Sequence, residues 1–115
     1  MTRIIVGVTD DGLCWYGVRC VFRWSWTDRG SRPYEERITL WRAASPAQAI
    51  ELASREARDY ARDNRFEHLD FAQAFALAED RITQGTEVFS LLRDSELKPE
   101  SYLDAFFDTG GEHQS

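Results

Sequence analysis

The sequence has few of the residues that build most catalytic, metal-binding and covalently stabilised sites. Its 115 residues include two cysteines, two histidines, one methionine and a single lysine, Lys98. It contains no Gly-rich phosphate loop, no HExxH, no Cys-x-x-Cys pair and no nucleophile elbow. Because no catalytic or ligand set can be assembled from these residues, we expect a non-catalytic protein without a metal or a cofactor.

The two cysteines are too far apart to form a disulfide with each other. Cys14 and Cys20 lie in one run of alternating residues, and an extended chain would separate their Cα atoms by roughly 20 Å at about 3.3 Å per residue. A disulfide needs Cα atoms within about 7 Å. Both cysteines fall on the apolar side of the run, so we interpret them as buried free thiols.

Two groups of ionisable side chains superficially match chemical sites. His68 stands near Glu67 and Asp70, as a metal cluster would require, and Glu35 adjoins Glu36, as in a general acid/base pair. Adjacent residues of a strand point to opposite faces, so neither group converges on one site. We interpret His68 as a solvated side chain and the two glutamates as ordinary strand charges.

Long hydrophobic runs are also missing. The apolar runs are only a few residues long, and no basic, apolar leader with a small-residue cleavage site opens the chain. We therefore expect no membrane span and a cytoplasmic location.

The net charge of −6 is unevenly distributed. Residues 1–65 hold 11 arginines against 9 acidic residues, whereas residues 66–115 hold 3 basic against 11 acidic residues. An acidic surface repels phosphate backbones over most of its area. We therefore expect a protein partner, either a second copy in a homodimer or a different protein, rather than nucleic acid.

The most distinctive segment of the sequence is residues 14–26. Even positions from Cys14 to Trp26 are apolar and odd positions are mixed, which is typical of a half-buried strand. Residues 34–43 alternate too, with Tyr34, Ile38 and Leu40 on one side and Arg37, Thr39 and Trp41 on the other. The two runs predict an antiparallel pair of strands joined by a polar loop.

A helix start follows the second strand. Ser45 is a candidate N-cap, Pro46 suits the first helical position, and Gln48 completes a capping box. The helix is predicted to run to about Asn64. Small residues dominate its apolar stripe and would allow close approach to a sheet; the stripe consists of Ala49, Ile50, Ala53, Ala57, Tyr60 and Ala61.

The second half of the chain is less regular. Residues 69–78 alternate as a strand does but are rich in helix formers, and we favour a strand. Residues 86–92 predict a further strand, residues 99–107 a short amphipathic helix, residues 3–8 a short first strand, and residues 109–115 a flexible tail. The prediction is one α+β domain over residues 1–108, with an antiparallel sheet of about four strands in the order β-β-α-β-β, a long helix on one face and a short C-terminal helix.

This order is accompanied by a resemblance to a known family. The residues that carry it are Trp15-Tyr16-x-Val18-Arg19, Tyr34-Glu35-Glu36-Arg37-Ile38, Ala43-x-Ser45, Tyr60 in the helix, and Gly85-Thr86-Glu87-Val88-Phe89-Ser90. Over roughly residues 14–93 the chain resembles the bacterial domain of unknown function family 4288. The resemblance implies a compact cytoplasmic bacterial domain and supports a strand at residues 69–78. It implies no activity and no site residues.

Two candidate binding surfaces emerge. The first combines cations and indoles on the mixed face of the opening hairpin: Trp15, Arg19, Arg23, Arg37 and Trp41. The second is the aromatic side of the C-terminal helix, with Tyr102, Phe106 and Phe107, which could enter a partner's groove. In both cases we favour the plainer interpretation, in which the mixed face is covered and the helix docks on its own domain.

The predicted function is therefore binding rather than catalysis. The preferred hypothesis is a protein-interaction or self-association module with an accessory or immunity-like role. The alternative is a binder of small ligands or single-stranded nucleic acid that uses the Trp/Arg strand face, since aromatic side chains stack on bases.

Overall fold

The chain folds as an α+β structure with a three-stranded antiparallel sheet and two helices. The computed structural model describes residues 12–25, 30 and 32–107. Its elements are β1 (Cys14–Trp24), β2 (Tyr34–Ala43), α1 (Pro46–Asn64), β3 (Phe66–Ala76) and α2 (Pro99–Phe106). The strand predicted at residues 3–8 and the tail predicted at residues 109–115 lie outside the described residues.

β1 is the central strand of the sheet, whose order is β2-β1-β3. β2 pairs with it in an uninterrupted antiparallel register from Cys14 opposite Ala43 to Arg23 opposite Tyr34. β3 pairs with its other edge, with an irregularity between Cys20 and Phe22. The predicted pairing of the first two runs is thus present, and the strand predicted at residues 69–78 is present with the bounds Phe66–Ala76.

The sheet has three strands instead of the predicted four. Residues 86–92 form neither strand nor helix, and the amide of Thr86 instead closes a turn by donating to the carbonyl of Thr83. β2 and β3 occupy both edges of β1, and residues 86–92 do not pair with the outer edge of either strand. It crosses one face of the sheet, where Phe89 contacts Phe75 with ring centroids 4.9 Å apart.

The ends of α1 are set by local chemistry. The Ser45 hydroxyl accepts a hydrogen bond from the amide of Gln48 at 3.1 Å, and the Gln48 side chain accepts from the amide of Ala44 at 2.6 Å. The helix ends where Arg65 adopts a left-handed conformation, with φ 60°, and its amide reaches back to the carbonyls of Ala61 and Arg62. β3 begins at the next residue.

The core lies between α1 and one face of the sheet, here called the inner face. The helix contributes only small buried side chains: Ala49, Ala53, Ala57 and Ala61. The central strand contributes larger ones: Cys14, Tyr16, Val18, Cys20 and Phe22. Small helix residues opposite large strand residues allow the helix axis to lie close to the sheet.

This complementarity predicts that α1 has no room for larger side chains on its buried stripe. We expect Ala53→Leu to destabilise the protein by about 1–3 kcal/mol, because the added carbons must push the helix from the sheet. The matched control is Ala47→Leu, at an exposed position of the same helix. Urea unfolding of both variants tests this, and equal stabilities would contradict the close helix–sheet contact.

Within the described residues, neither helix has the length and apolar character needed to cross a bilayer.

Candidate functional site

The register of the sheet divides the predicted Trp/Arg surface between two faces. Residues directly opposite each other in an antiparallel pair share a face. Trp41 is opposite Tyr16 and Arg37 is opposite Cys20, which places both on the inner face beneath α1. The side chains of Trp15, Arg19 and Arg23 alternate with the buried ones and lie on the other face, here called the outer face.

The prediction of a five-residue surface is therefore corrected to three residues on the outer face. Alternation correctly separated Arg37, Thr39 and Trp41 from Tyr34, Ile38 and Leu40. It could not show which of the two sets faces the helix, because the pairing of β2 with β1 decides that.

On the inner face, Arg37 and Trp41 have structural partners. Arg37 donates two hydrogen bonds to the Glu56 carboxylate of α1, at 2.6 and 2.9 Å, and its guanidinium lies 4.0 Å from the Tyr60 ring centroid. The bond to Glu56 raises the pKa of Arg37. Trp41 packs against the core, and its indole N–H donates to the Thr39 hydroxyl at 2.6 Å. These contacts hold α1 against β2 and are not a free binding surface.

Tyr60 connects this group to Glu35. Its hydroxyl donates to the two Glu35 carboxylate oxygens at 2.8 and 3.1 Å, and the Trp24 indole N–H donates to Glu35 at 3.3 Å. Burial, together with the Glu35 carboxylate, raises the pKa of Tyr60 from 10.0 to about 12.

Because the pKa of the Tyr60 phenol is raised, the free energy of unfolding of the protein depends on pH in the alkaline range. The folded state holds the Tyr60 proton more tightly than the unfolded state, so this contribution is complete below pH 10 and is lost between pH 10 and about 12. We expect urea unfolding to show a steeper decline over this range for the wild type than for Tyr60→Phe, which has no proton to lose. Parallel declines for the two proteins would contradict the Tyr60–Glu35 contact.

The outer face carries cations beside aromatic rings. The Arg23 guanidinium lies 4.2 Å from the Tyr34 ring centroid, and that of Arg42 lies 5.8 Å from the Trp15 ring. Arg19 bonds to Glu36 at 3.3 Å and to Gln73 at 2.6 Å. Such pairs keep arginine stems against rings while leaving charge near the surface.

Apolar side chains are exposed between these cations. Tyr34 is 62% exposed and Ile38 41%. Phe71, which is 50% exposed, precedes Ala72, and Ala72 lies opposite Cys20 on the inner face, so strand alternation places Phe71 on the outer face. The paired residues of this face also carry more positive than negative charge, with Arg19, Arg23 and Arg42 against Glu36 and Glu67. A cationic and apolar face on a chain of net charge −6 is a distinctive surface. The sequence pattern of residues 34–43 includes Tyr34, Ile38 and Arg42, but it did not predict that they belong to this surface.

Residues 87–90 cover only one corner of the outer face. Phe89 contacts Phe75, and the Arg19 guanidinium lies 5.6 Å from the Phe89 ring centroid. Between residues 75–78 and residues 87–90 lies a pocket of about 70 Å³. Typical small-molecule sites have volumes of about 300–1,000 Å³, so this pocket does not hold a cofactor-sized ligand.

α2 does not dock on its own domain, contrary to the interpretation favoured from the sequence. In the described residues it contacts none of the strands and not α1. Tyr102 is half-buried by local contacts only, with Phe106 at 4.8 Å and an Arg93 hydrogen bond to its hydroxyl at 2.9 Å. Leu103, Phe106 and Phe107 are exposed. The predicted partner-helix residues are therefore accessible.

The remaining sequence candidates are structural. His68 is not solvated: it lies on the inner face opposite Phe22, with ring centroids 5.6 Å apart. Cys14 and Cys20 are buried free thiols, and burial raises the pKa of Cys20. Across residues 12–25, 30 and 32–107, no cluster of histidine, cysteine and acidic side chains has the form of a metal site.

Comparison with known proteins adds no assignment, since no family model, no curated protein and no solved structure matches the chain. The resemblance to the domain of unknown function family 4288 stays a prediction.

Proposed function

We propose that this protein is a non-catalytic protein-interaction module whose outer sheet face binds an acidic, amphipathic segment of a partner protein. One observation carries the proposal. The only helix that contacts the sheet in the described part of the chain covers the inner face, and the opposite face presents Tyr34, Ile38 and Phe71 among three arginines.

The chemistry of this face defines the partner. Exposed apolar side chains favour burial against apolar residues, and each buried side chain contributes about 1.5–3 kcal/mol of transfer free energy. Arginines at the rim favour carboxylates and disfavour other cations. A segment that alternates carboxylates with aromatic or aliphatic residues satisfies both requirements.

α2 is an example of such a segment within this chain. It carries Glu100 and Asp104 together with the exposed Leu103 and Phe106. Helices of this kind bind apolar surfaces through residues spaced three and four apart. A second copy of the protein is therefore one partner that this chemistry fits, and a different protein with an acidic helix is another.

The expected cytoplasmic location and the accessory or immunity-like role belong to this proposal. Both are consistent with a compact domain whose recognised features are surfaces for binding.

The alternative, a binder of single-stranded nucleic acid, has less support. Its predicted surface required five residues on one face, and Arg37 and Trp41 lie on the other.

A peptide titration tests the proposal on the full-length protein. The probe is a peptide with the sequence of residues 99–107 and blocked ends, and its matched control carries lysine in place of Glu100 and Asp104. We expect the acidic peptide to bind about tenfold or more tightly than the lysine peptide, a difference of about 1.4 kcal/mol. A thymidine oligonucleotide at low salt serves as the probe for the alternative.

Variants of the protein locate the binding surface. Phe71→Asp places a carboxylate on the outer face and should weaken binding of the acidic peptide. Leu92→Asp makes the equivalent change at a side chain that is 96% exposed and belongs to no strand or helix, and it should leave binding unchanged. Equal binding of both peptides, or no binding, would overturn the proposal, and binding of the oligonucleotide alone would favour the alternative.

A further inference from the structure

β2 lies at one edge of the described sheet. In the described residues it pairs with β1 on one side only, through ten consecutive residue pairs without a bulge. It contains neither proline nor lysine. Exposed edges of this kind offer unpaired backbone N–H and C=O groups to another strand. The opposite edge, β3, is interrupted by its irregular register.

Two copies of β2 have complementary side chains when they pair antiparallel with Thr39 of one copy opposite Thr39 of the other. In an antiparallel pair of two such strands, Glu36 lies opposite Arg42 of the partner subunit, and Ile38 lies opposite Leu40 of the partner subunit. All four positions are on the outer face. Opposite charges and apolar pairs directly across two strands each contribute roughly 0.2–1 kcal/mol.

Neighbouring registers lack this match. A pair centred on Ile38 places Glu36 opposite Leu40 of the partner subunit. A pair centred on Arg37 places two like charges face to face, which is destabilising. Only registers that keep the inner and outer faces aligned are compatible with the buried inner face. Among these three the self-complementary register is the one centred on Thr39.

We propose that the protein forms a homodimer in which the β2 strands of two copies pair antiparallel about a two-fold axis at Thr39. The two sheets then form one sheet of six strands with both copies of α1 on the same side. The two outer faces become continuous. This inference rests on the proposed function, because it identifies a second copy as one partner and doubles the face that the acidic segment would bind.

Glu36 and Arg42 both make contacts within their own subunit, and both are exposed. The Glu36 side chain is 65% exposed although it bonds to Arg19 at 3.3 Å. Arg42 is exposed on the same face, beside Trp15. Arg37 keeps its bonds to Glu56 on the inner face. With few side-chain pairs, the association should be reversible and depend on concentration.

Charge reversal tests the register through a mixing experiment. Glu36→Arg alone places two arginines at each contact, and Arg42→Glu alone places two glutamates there, so each variant should have a dimer dissociation constant at least about tenfold above that of the wild type. Mixing the two variants restores an arginine–glutamate pair at both contacts of a heterodimer. We therefore expect sedimentation velocity to show each variant as a monomer alone and a dimer in the mixture.

Two controls separate the register from general effects of charge. Glu51→Arg, on the exposed side of α1 where Glu51 pairs with Arg55, should not change the wild-type dimer. Thr39→Cys places two thiols at the two-fold axis, where facing Cα atoms are about 4.5–5.5 Å apart and within reach of a disulfide. It should form a covalent dimer on mild oxidation, whereas Ile38→Cys should not.

The outcomes distinguish this inference from the proposed function. A wild-type protein that stays monomeric at about 100 µM would overturn the homodimer, and the peptide titration would still decide the proposed function. A dimer that survives both single charge reversals, with no Thr39→Cys cross-link, would overturn the β2 register and leave self-association by another surface. A third outcome is that the peptide fails to bind while the two charge-reversal variants form a dimer only when mixed. That result would overturn the binding site on the outer face and support the homodimer.

Discussion

Replacing Phe22 by alanine should cost about 3–5 kcal/mol of unfolding free energy. Phe22 is 0% exposed and lies on the inner face, where its ring centroid is 5.0 Å from that of Tyr60 and 5.6 Å from that of His68. Neither neighbour can fill the resulting cavity without leaving its own contacts. Such a loss is a large part of the stability of a domain of this size.

The matched control is Phe71→Ala, which removes the same atoms from an exposed site on the outer face. We expect this variant to lose less than about 1 kcal/mol. Urea unfolding of both variants, followed by tryptophan fluorescence, gives the two values. Similar losses at both positions would contradict the assignment of one buried and one exposed face.

Replacing Gly17 by alanine is the second change with a large expected effect. A Cβ atom at Gly17 would lie 2.5 Å from Cε2 of Phe75, whose ring covers this glycine from the neighbouring strand. Phe75 would have to move and would lose its contact with Phe89. We expect a loss of about 1–3 kcal/mol, the usual cost of overpacking.

A double-mutant cycle shows whether that cost arises from the aromatic ring. Phe75→Ala removes the obstacle, so Gly17→Ala should cost much less in the Phe75→Ala background than in the wild type. Additive losses would contradict the packing of Phe75 over Gly17. The cycle also tests whether residues 87–90 are held on the outer face through Phe89.

Much of the fold was predictable because local chemistry and periodicity agree there. Ser45, Pro46 and Gln48 mark the start of α1, and the alternation of residues 14–24 and 34–43 marks the central hairpin. The strand Phe66–Ala76 was harder, since its alanines are good helix formers. Pairing with β1 overrides that local preference.

Features that depend on long-range pairing were not predictable in this way. Residues 86–92 alternate like a strand but join no ladder. Arg37 and Trp41 share an apparent pattern with Arg19 and Trp15, yet β2 meets β1 in a register that turns them towards α1. One residue of shift would reverse this assignment. The sequence therefore predicted the types of residue that form the candidate site, but only some of the individual residues.

The division into two faces has a direct functional consequence. On the inner face, Arg37 and Glu35 fasten the sheet to α1 through Glu56 and Tyr60 of the helix. The outer face keeps Arg19, Arg23 and Arg42 near exposed apolar side chains. The same residue types thus serve stability on one face and, in our proposal, recognition on the other.

The most direct test of the account is a nuclear magnetic resonance titration of the labelled full-length protein with the acidic peptide of residues 99–107, observing the indole N–H signals of its tryptophans. Trp15 lies on the outer face and Trp41 on the inner face beneath α1. The account predicts that the Trp15 signal shifts progressively with peptide while the Trp41 signal stays in place. A shift of the Trp41 signal with an unchanged Trp15 signal would contradict it.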